Sequence, residues 1–263
     1  MKWAEACQDM NKLLRLRTYP VAVKYFPDFD KDLEANLMDE GFVRPREPLN
    51  ACQIVGLARY YSQSSFFTVE DMACIVGAVV LGLQPMPENM RSGYIASAMR
   101  KDQDLARRFI ETVPKIKYGD VKAVAVAPLQ QTELDPDQVI VYGNSFQVMR
   151  LIQAYLWDKE GRVEFSSGGW GGLCADVMAQ SYITKKLSLG ISCVGARMTA
   201  VILDDELPVG IPISTFENVL EGLERTKMGA PYPIPFAGIK QIPDCLPAFF
   251  LTDYAKRRIE ERG

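Results

Sequence analysis

The sequence predicts an α+β fold made of two similar halves, with a mixed or antiparallel sheet and packed helices. Segments typical of strands and segments with helical spacing alternate irregularly along the chain, and several joins are short enough for hairpins. A pattern of two cysteines also occurs twice, with similar flanking residues. We predict half-repeats at residues 1–104 and 105–263, the second with a C-terminal helix, within one compact duplicated domain.

The first half is predicted to alternate between helices and short strands. The segment VAVKYF is rich in β-branched and aromatic residues and ends at Pro27, which predicts a strand. Asn50 and Asp71 are suited to cap the helices that follow them. In order, we predict a helix over 1–16, the strand over 21–26, a helix over 52–63, a short strand over 66–69, a helix over 71–83, and helical patterns over 88–100 and 102–113.

The second half contains longer predicted strands and a glycine-rich turn, GGWGG, over 168–172. Pro128 and the flanking β-branched residues mark the first of these strands. In order, we predict strands over 121–129 and 138–143, a helix over 145–160, a strand over 163–167, the glycine-rich turn, a helix over 173–185, a strand over 187–192, two strands within 199–213 joined at Asp204-Asp205, a helix over 215–226, a proline-rich segment over 230–247 and a terminal helix.

The evidence for duplication is the matched setting of the cysteines. Cys52 and Cys174 each have a valine three residues later and a tyrosine eight residues later. Cys74 and Cys193 each open a Val-Gly-Ala turn, with one inserted residue in the first copy. The separation between the two copies is nearly constant. We therefore expect the four cysteines to converge on one site.

Composition and charge exclude several classes of partner. The chain has 30 Lys and Arg against 33 Asp and Glu, a net charge of −3, with no basic block of the kind that binds a phosphate backbone. The longest apolar stretch, IVGAVVLGL, is too short to span a bilayer, and the first residues lack the apolar run of a signal peptide. We predict a cytoplasmic protein with no nucleic-acid or membrane partner.

The chain contains no histidine, and this restricts its chemistry. Ser-His-Asp and Cys-His catalysis, histidine-based zinc and iron sites and histidine-ligated haem are excluded. Six cysteines in a reducing compartment favour metal binding, thiol chemistry or burial over disulfides. Four thiolates fit an iron-sulfur cluster or an all-thiolate zinc site. We favour the cluster, because zinc usually staples small domains and this chain is large enough to bury a core.

The four predicted metal ligands are Cys52, Cys74, Cys174 and Cys193. Each is predicted in the first turn of a helix, where free N–H groups and the helix dipole would favour the thiolate. Cys7 and Cys245 have no counterparts and are predicted to pack.

Three further residues are predicted at the cofactor site. Gly171 and Gly172 belong to the glycine-rich turn, which could form a backbone nest for an anion or a cluster sulfide, with an ordinary flexible turn as the alternative. Arg197 could bind a substrate carboxylate or screen cluster charge. An ordinary ion pair is the alternative for Arg197, and equally for Arg59 of the first half.

The chain resembles a prokaryotic family called domain of unknown function 169. The resemblance is carried by ACQIVGLARYY and EDMACIVGAVVLGL in the first half and by SSGGWGGLCADVMAQSY and LGISCVGARMTAVILDDELPVGIPI in the second. It spans nearly the whole chain, and its most specific elements are the cysteine before Gly-Ala-Arg and the following DDELPVGIP. The family has no assigned reaction. The resemblance implies a cytoplasmic bacterial or archaeal protein and supports the same four cysteines.

These observations predict that the protein binds an iron-sulfur cluster, of the four-iron type, in a redox or electron-transfer role. Its partner would be a redox protein or a small-molecule substrate, and whether it is an enzyme is left open. One alternative is a non-enzymatic module that binds a small molecule or organic cofactor, with the cysteines packed in its core. A thiol enzyme with a single cysteine of low pKa is the other.

Overall fold

The structure is a computed structural model that describes residues 3–226 and 251–261. The chain divides into two compact units, Met1–Thr226 and Lys227–Gly263. Within the second unit, residues Asp253–Glu260 form a helix, α11. The mixture of helices with a six-stranded antiparallel sheet in the first unit confirms the α+β class. Within the described ranges, no helix is both long and apolar enough to cross a membrane.

Helices make up much of the first unit. The α-helices are α1 (Trp3–Leu14), α2 (Lys31–Asp39), α3 (Ala51–Tyr61), α4 (Ile75–Val80), α5 (Glu88–Arg91), α6 (Gln103–Thr112), α7 (Ser145–Leu156), α8 (Gln180–Thr184), α9 (Val194–Thr199) and α10 (Ile213–Arg225). A π-helical turn, Cys174–Ala179, runs directly into α8. The helix predicted over 173–185 is therefore present, and it starts with a wider, underwound turn.

The six strands form a single sheet in which every pairing is antiparallel. The strands are β1 (Val21–Phe26), β2 (Ser65–Phe67), β3 (Ala123–Pro128), β4 (Gln138–Gly143), β5 (Ser188–Leu189) and β6 (Leu207–Pro212). Their order across the sheet is β2-β3-β1-β4-β6-β5. The central pair is thus β1 and β4, flanked by β3 and β6, with the short strands β2 and β5 at the edges.

The sheet is covered on both faces, which explains why its long strands are almost continuously buried. Side chains alternate between the faces. On one face, Val23 and Tyr25 of β1 join the largest apolar cluster, which includes residues of α3, α4, the π-helical turn and α9. On the other, Ala22 packs with α1, α7 and α10. All four cysteines of the predicted ligand set contact the first cluster, so they lie on that side of the sheet.

The start of α3 is fixed by a local motif. The backbone N–H of Asn50 donates to the Gln53 side chain at 2.9 Å, which is half of a capping box. Because the first turn of a helix has unpaired N–H groups, this motif sets the register of the helix and so the position of Cys52.

Five predicted elements differ in the structure. The helix predicted over 71–83 begins only at Ile75, because Asp71 lies in a 3-10 turn and does not cap it. The strand predicted over 163–167 is absent, because this segment pairs with no other strand and exposes Phe165. Only the second of the two strands predicted within 199–213 forms, since Val201 has a φ of +52°, outside the extended region. The strand predicted over 187–192 is reduced to β5, and the helical pattern over 88–100 yields only α5 and a 3-10 turn. The proline-rich segment over 230–247, with Cys245, lies outside the described residues.

Candidate functional site

The four cysteines predicted as ligands line one cavity of about 220 Å³. They come from four elements that are far apart in sequence, and they share the cavity wall with apolar residues, among them Trp170. None of the four thiols forms a disulfide.

Each cysteine lies at or just before the start of a helical segment. Cys52 is the second residue of α3, and Cys174 is the first residue of the π-helical turn. Cys74 and Cys193 immediately precede α4 and α9 and have extended backbone conformations, with φ of −94° and −73°. The four cysteines therefore occupy two kinds of position, each used once before β3 and once after β4.

The helices that carry the cysteines pack in crossed pairs. The helix of Cys52, α3, contacts α9, the helix after Cys193, while α4, the helix after Cys74, contacts the π-helical turn of Cys174. Hydrogen bonds reinforce the first pair, because the Tyr60 hydroxyl donates to the Val201 carbonyl at 3.0 Å. The segment of Cys52 is thus held against that of Cys193, and the segment of Cys74 against that of Cys174.

The glycine-rich turn brings two of the cysteine segments together. A Cβ at Gly172 would overlap the carbonyl oxygen of Ile191, so only glycine allows this close approach of the backbones. Because Ile191 lies two residues before Cys193, Gly172 fixes the distance between the Cys174 and Cys193 segments. Gly171 lines the cavity and has a φ of +70°, the left-handed conformation that favours glycine. Gly172 is not among the lining residues.

Two of the four thiols, those of Cys52 and Cys174, have raised pKa values. Burial, with smaller effects from Cys193 and Cys74, raises the pKa of Cys52 to about 11. Burial also raises the pKa of Cys174 well above its ordinary value, followed by the effects of Cys74, Cys193 and Cys52. The expectation that helix starts keep these two groups deprotonated is therefore wrong, because desolvation and the proximity of the other thiols outweigh the helix field. These values also argue against Cys52 or Cys174 as a nucleophile of low pKa.

The arrangement of acidic and cysteine side chains does not form a ready site for a single metal ion. Among the described residues, no group of three or more cysteine, aspartate or glutamate side chains is placed to hold one ion. A tetrahedral zinc site needs its sulfurs about 3.8 Å apart, from Zn–S bonds of about 2.3 Å.

Arg197 is not among the residues that line the cavity. Its side chain donates to the Ser192 carbonyl at 3.2 Å and to Asp204 at 3.3 Å. The ordinary ion pair foreseen as the alternative is therefore present.

Arg59 forms a buried ion pair behind Cys52. Its guanidinium donates to Glu206 at 2.8 Å, and the side chains are 0% and 2% exposed. It also lies over the Tyr142 ring at 3.5 Å from the centroid, and its Nε donates to Thr18 at 3.0 Å. Burial raises the pKa of Tyr142, and Cys52 is among the charged neighbours that affect it. The sequence indicated that Arg59 would form an ion pair, but it did not identify Glu206 as the partner or Tyr142 as the neighbouring ring.

A second group missed by the sequence interpretation is Asp176, on the π-helical turn. Burial raises the pKa of its carboxyl to about 6, partly opposed by a hydrogen bond to Ser167. It lines a different cavity, of about 630 Å³, together with residues of α7, α8 and β5. Its signal in the sequence was an acidic residue within an otherwise apolar helical pattern, CADVMA.

Comparisons with known proteins agree with the resemblance found in the sequence. The model of the family called domain of unknown function 169, described as "Uncharacterised ArCR", matches residues 9–222. An uncharacterised protein of Methanocaldococcus jannaschii is 29% identical over 224 residues, which cover 84% of this chain and 93% of that protein. No solved structure matches the chain at a significant level. Because the family model covers most of the chain, the protein belongs to domain of unknown function 169.

Proposed function

We propose that the protein binds one iron-sulfur cluster through Cys52, Cys74, Cys174 and Cys193 and serves in electron transfer or redox chemistry. The observation that carries the proposal is the meeting of four cysteines from distant parts of a histidine-free chain at one cavity. Buried structural cysteines need not share a cavity wall, whereas cluster ligands must.

A cluster and a single ion place different demands on the four thiols. In a four-iron cluster each thiolate binds a different iron, so the sulfurs lie farther apart than around one zinc ion. The described residues contain no preformed group for a metal, which bears on both alternatives, so the preference for a cluster rests on the size of the chain, which needs no zinc to stabilise its core. The cavity, at about 220 Å³, is several times the share of one water molecule, about 30 Å³.

Raised thiol pKa values are compatible with such a ligand set. Metal ligands must be deprotonated, and the positive charge of the iron supplies the stabilisation that the metal-free site lacks. Loading is therefore expected to release protons from Cys52 and Cys174. When bound, a cluster supplies one-electron redox chemistry at a potential set by burial, net charge and hydrogen bonding. The apolar wall around Trp170 would limit the access of water.

The proposal includes the internal duplication. Each set of three strands, β1 to β3 and β4 to β6, has the spatial order 2-3-1, and the sets meet at β1 and β4. The strand registers also correspond. Ser65 pairs with the residue two positions before Pro128, the last residue of β3, and Ser188 pairs with the residue two positions before Pro212, the last residue of β6. This agreement favours a division between β3 and β4, later than residue 104. A pseudo-twofold axis between the sets would bring equivalent cysteines together.

Exposed apolar residues beside the cavity suit a redox partner. Val194 lines the cavity and is 65% exposed, and Met198, one helical turn later on α9, is 79% exposed. Exposed apolar groups of this kind mark transient contact sites more often than ordinary surface. A partner that docks on α9 would approach within a few residues of Cys193.

The test is anaerobic purification followed by iron, acid-labile sulfide and visible absorption measurements. We expect about four irons and four sulfides per chain, as in a four-iron cluster, and a broad visible band that reductant bleaches. Cys52→Ser and Cys174→Ser, the two matched positions, should each lose most of the iron. Cys7→Ala is the control, since Cys7 belongs to α1 on the other side of the sheet and the variant should leave the iron unchanged.

The proposal would be overturned by protein that stays colourless and iron-free after anaerobic reconstitution. Iron retained in full by both serine variants would contradict it as well. A second candidate is a small apolar ligand in the same cavity, favoured by the apolar part of its wall. In that case both serine variants fold and keep a bound organic molecule, detectable by mass spectrometry, without iron.

A further inference from the structure

The cavity of about 630 Å³ on the far side of the π-helical turn has a buried carboxylate in its wall. Asp176 is 5% exposed, and its Oδ2 has no hydrogen-bond partner. The carboxyl group is hydrogen bonded to the Ser167 side chain. A buried carboxylate with an unsatisfied oxygen costs several kcal/mol unless a cation or donor reaches it.

Among the described residues no cation fills that role, and Arg162, which lines the cavity, is exposed and forms no salt bridge with Asp176. Lys159 and Lys186 line the cavity, but the Lys159 ammonium pairs with Asp158 at 2.6 Å and lies over the Tyr155 ring. In the described part of the chain, Lys186 has no ion-pair partner and is exposed, and neither lysine is within salt-bridge distance of Asp176. Asp176 thus lines a space large enough for a small molecule, and no cation of the described residues pairs with it.

We propose that this cavity binds a small organic molecule through a primary ammonium group held by Asp176. An ammonium group presents three donors and a full positive charge, which match an unpaired carboxylate in a low-dielectric wall. Around it, Gln180 and Ser188 line the cavity and supply polar groups, while Tyr155 and Leu189 supply apolar surface for a carbon skeleton. The site differs from the cysteine cavity in residues and in ligand chemistry, and the inference does not depend on a cluster.

The ammonium could belong to a plain amine or to a zwitterionic amino acid. Arg162 and Lys186 at the wall could hold a carboxylate, although Glu160 and Glu164 line the same cavity and oppose one. Both classes of ligand carry the ammonium group. Probes that share the same carbon skeleton but differ in their charged groups distinguish the amine from the zwitterion.

The experiment is calorimetric titration of the full chain with butylamine, 4-aminobutyrate and butyrate. Butylamine carries only the ammonium, butyrate only the carboxylate, and 4-aminobutyrate both. We expect butylamine, 4-aminobutyrate or both to bind and butyrate not to bind. Tighter binding of 4-aminobutyrate identifies the zwitterion as the preferred class, and tighter binding of butylamine identifies the plain amine.

Variants decide whether Asp176 holds the ammonium. Asp176→Asn keeps the shape and removes the charge, and it should weaken binding about tenfold or more. Asp39→Asn removes an exposed carboxylate that is outside the cavity wall and should leave binding unchanged. If Asp176→Asn does not fold, Ser166→Trp, at an exposed position of the wall, should obstruct the cavity and weaken binding while the carboxylate stays in place.

Failure of both ammonium probes to bind the wild-type protein up to about 10 mM, a free energy of less than about 3 kcal/mol, would overturn the inference. Unchanged binding in folded Asp176→Asn, or stronger binding of butyrate than of butylamine, would overturn it too. Cys174→Ser should lose iron and keep amine binding, so failure of this inference and failure of the proposed cluster have different signatures.

Discussion

Cys52 and Cys174 have similar positions relative to the sheet, but different groups lie behind them. Arg59 and Ser181 stand the same number of residues after the two cysteines. Arg59 is paired with Glu206 and lies over Tyr142, an aromatic residue of β4. Ser181 is buried, and its hydroxyl has no partner among the described residues.

The second side has, among the described residues, no fully buried ion pair to correspond to that of Arg59 and Glu206. Behind Cys174, the Tyr25 and Tyr182 rings lie 4.3 Å apart, and the Tyr25 hydroxyl accepts a hydrogen bond from Gln138. Burial raises the pKa of Tyr25, with Cys174 among the smaller causes. The comparison indicates that the backbone arrangement keeps the cysteines in place, whereas the groups behind them are free to differ. It also predicts that the groups behind Cys52 and the groups behind Cys174 contribute unequally to the free energy of unfolding.

The largest effect is expected from breaking the buried ion pair. Glu206→Leu leaves the Arg59 charge buried without its partner and should lower the free energy of unfolding by about 3–5 kcal/mol. Urea denaturation monitored by circular dichroism measures the change. Ser181→Ala, at the corresponding place on the other side, removes an unsatisfied hydroxyl and should change stability little.

A double variant distinguishes the effect of an uncompensated charge from the effect of losing a packed side chain. Arg59→Met with Glu206→Leu removes both charges, and it should recover much of the stability lost in Glu206→Leu alone. If the double variant is no more stable than Glu206→Leu, the uncompensated charge is not the cause. A loss in Ser181→Ala as large as in Glu206→Leu would contradict the inequality of the two sides.

The next largest effect is expected at the glycine-rich turn, which lies between β4 and β5. In Gly172→Ala the new methyl group would meet the Ile191 carbonyl, so the segments of Cys174 and Cys193 must separate. We expect a loss of about 1–3 kcal/mol in the free energy of unfolding, together with reduced iron after reconstitution. Gly161→Ala is the matched control, because a Cβ there meets nothing within 4 Å, although its φ of +91° gives some strain. Equal iron contents in both variants would contradict a positioning role for Gly172.

The smallest effect concerns Cys7, on the opposite face of the sheet. Burial raises the pKa of this thiol from 9.0 to about 11. A group whose pKa is raised on folding contributes stability that is complete below pH 9 and is lost as the pH rises towards 11. Relative to Cys7→Ala, the wild-type protein should lose about 1–2 kcal/mol over this interval, a reduced value because the thiol is not fully shielded from solvent.

Denaturation curves at pH 8, 9, 10 and 11 measure this difference, and taking it against the variant cancels the titration of the tyrosines and of the other thiols. A wild-type protein that gains stability relative to Cys7→Ala between pH 9 and 11 would contradict the prediction.

Much of the fold could be predicted from local sequence. The long strands β1, β3 and β4 were predicted because most of their side chains are β-branched, aromatic or small, and α3 because Asn50 can cap it. The strand predicted over 163–167 is wrong because a strand also needs a neighbour with which to pair. The order of the strands in the sheet could not be predicted from the sequence, since contacts between residues distant in sequence decide which strands pair.

Sequence alone determined which chemistry is open to this protein, and tertiary structure decided where that chemistry can occur. The absence of histidine and the repeated cysteine pattern are properties of the chain, and no fold can change them. The shared cavity, the pairing of Arg59 with Glu206 across 147 positions and the unpaired Asp176 carboxylate exist only after the sheet has brought the segments together. The physical reason is that burial and long-range contacts set the charge state and surroundings of a side chain, whereas local sequence sets only its identity and its helix or strand.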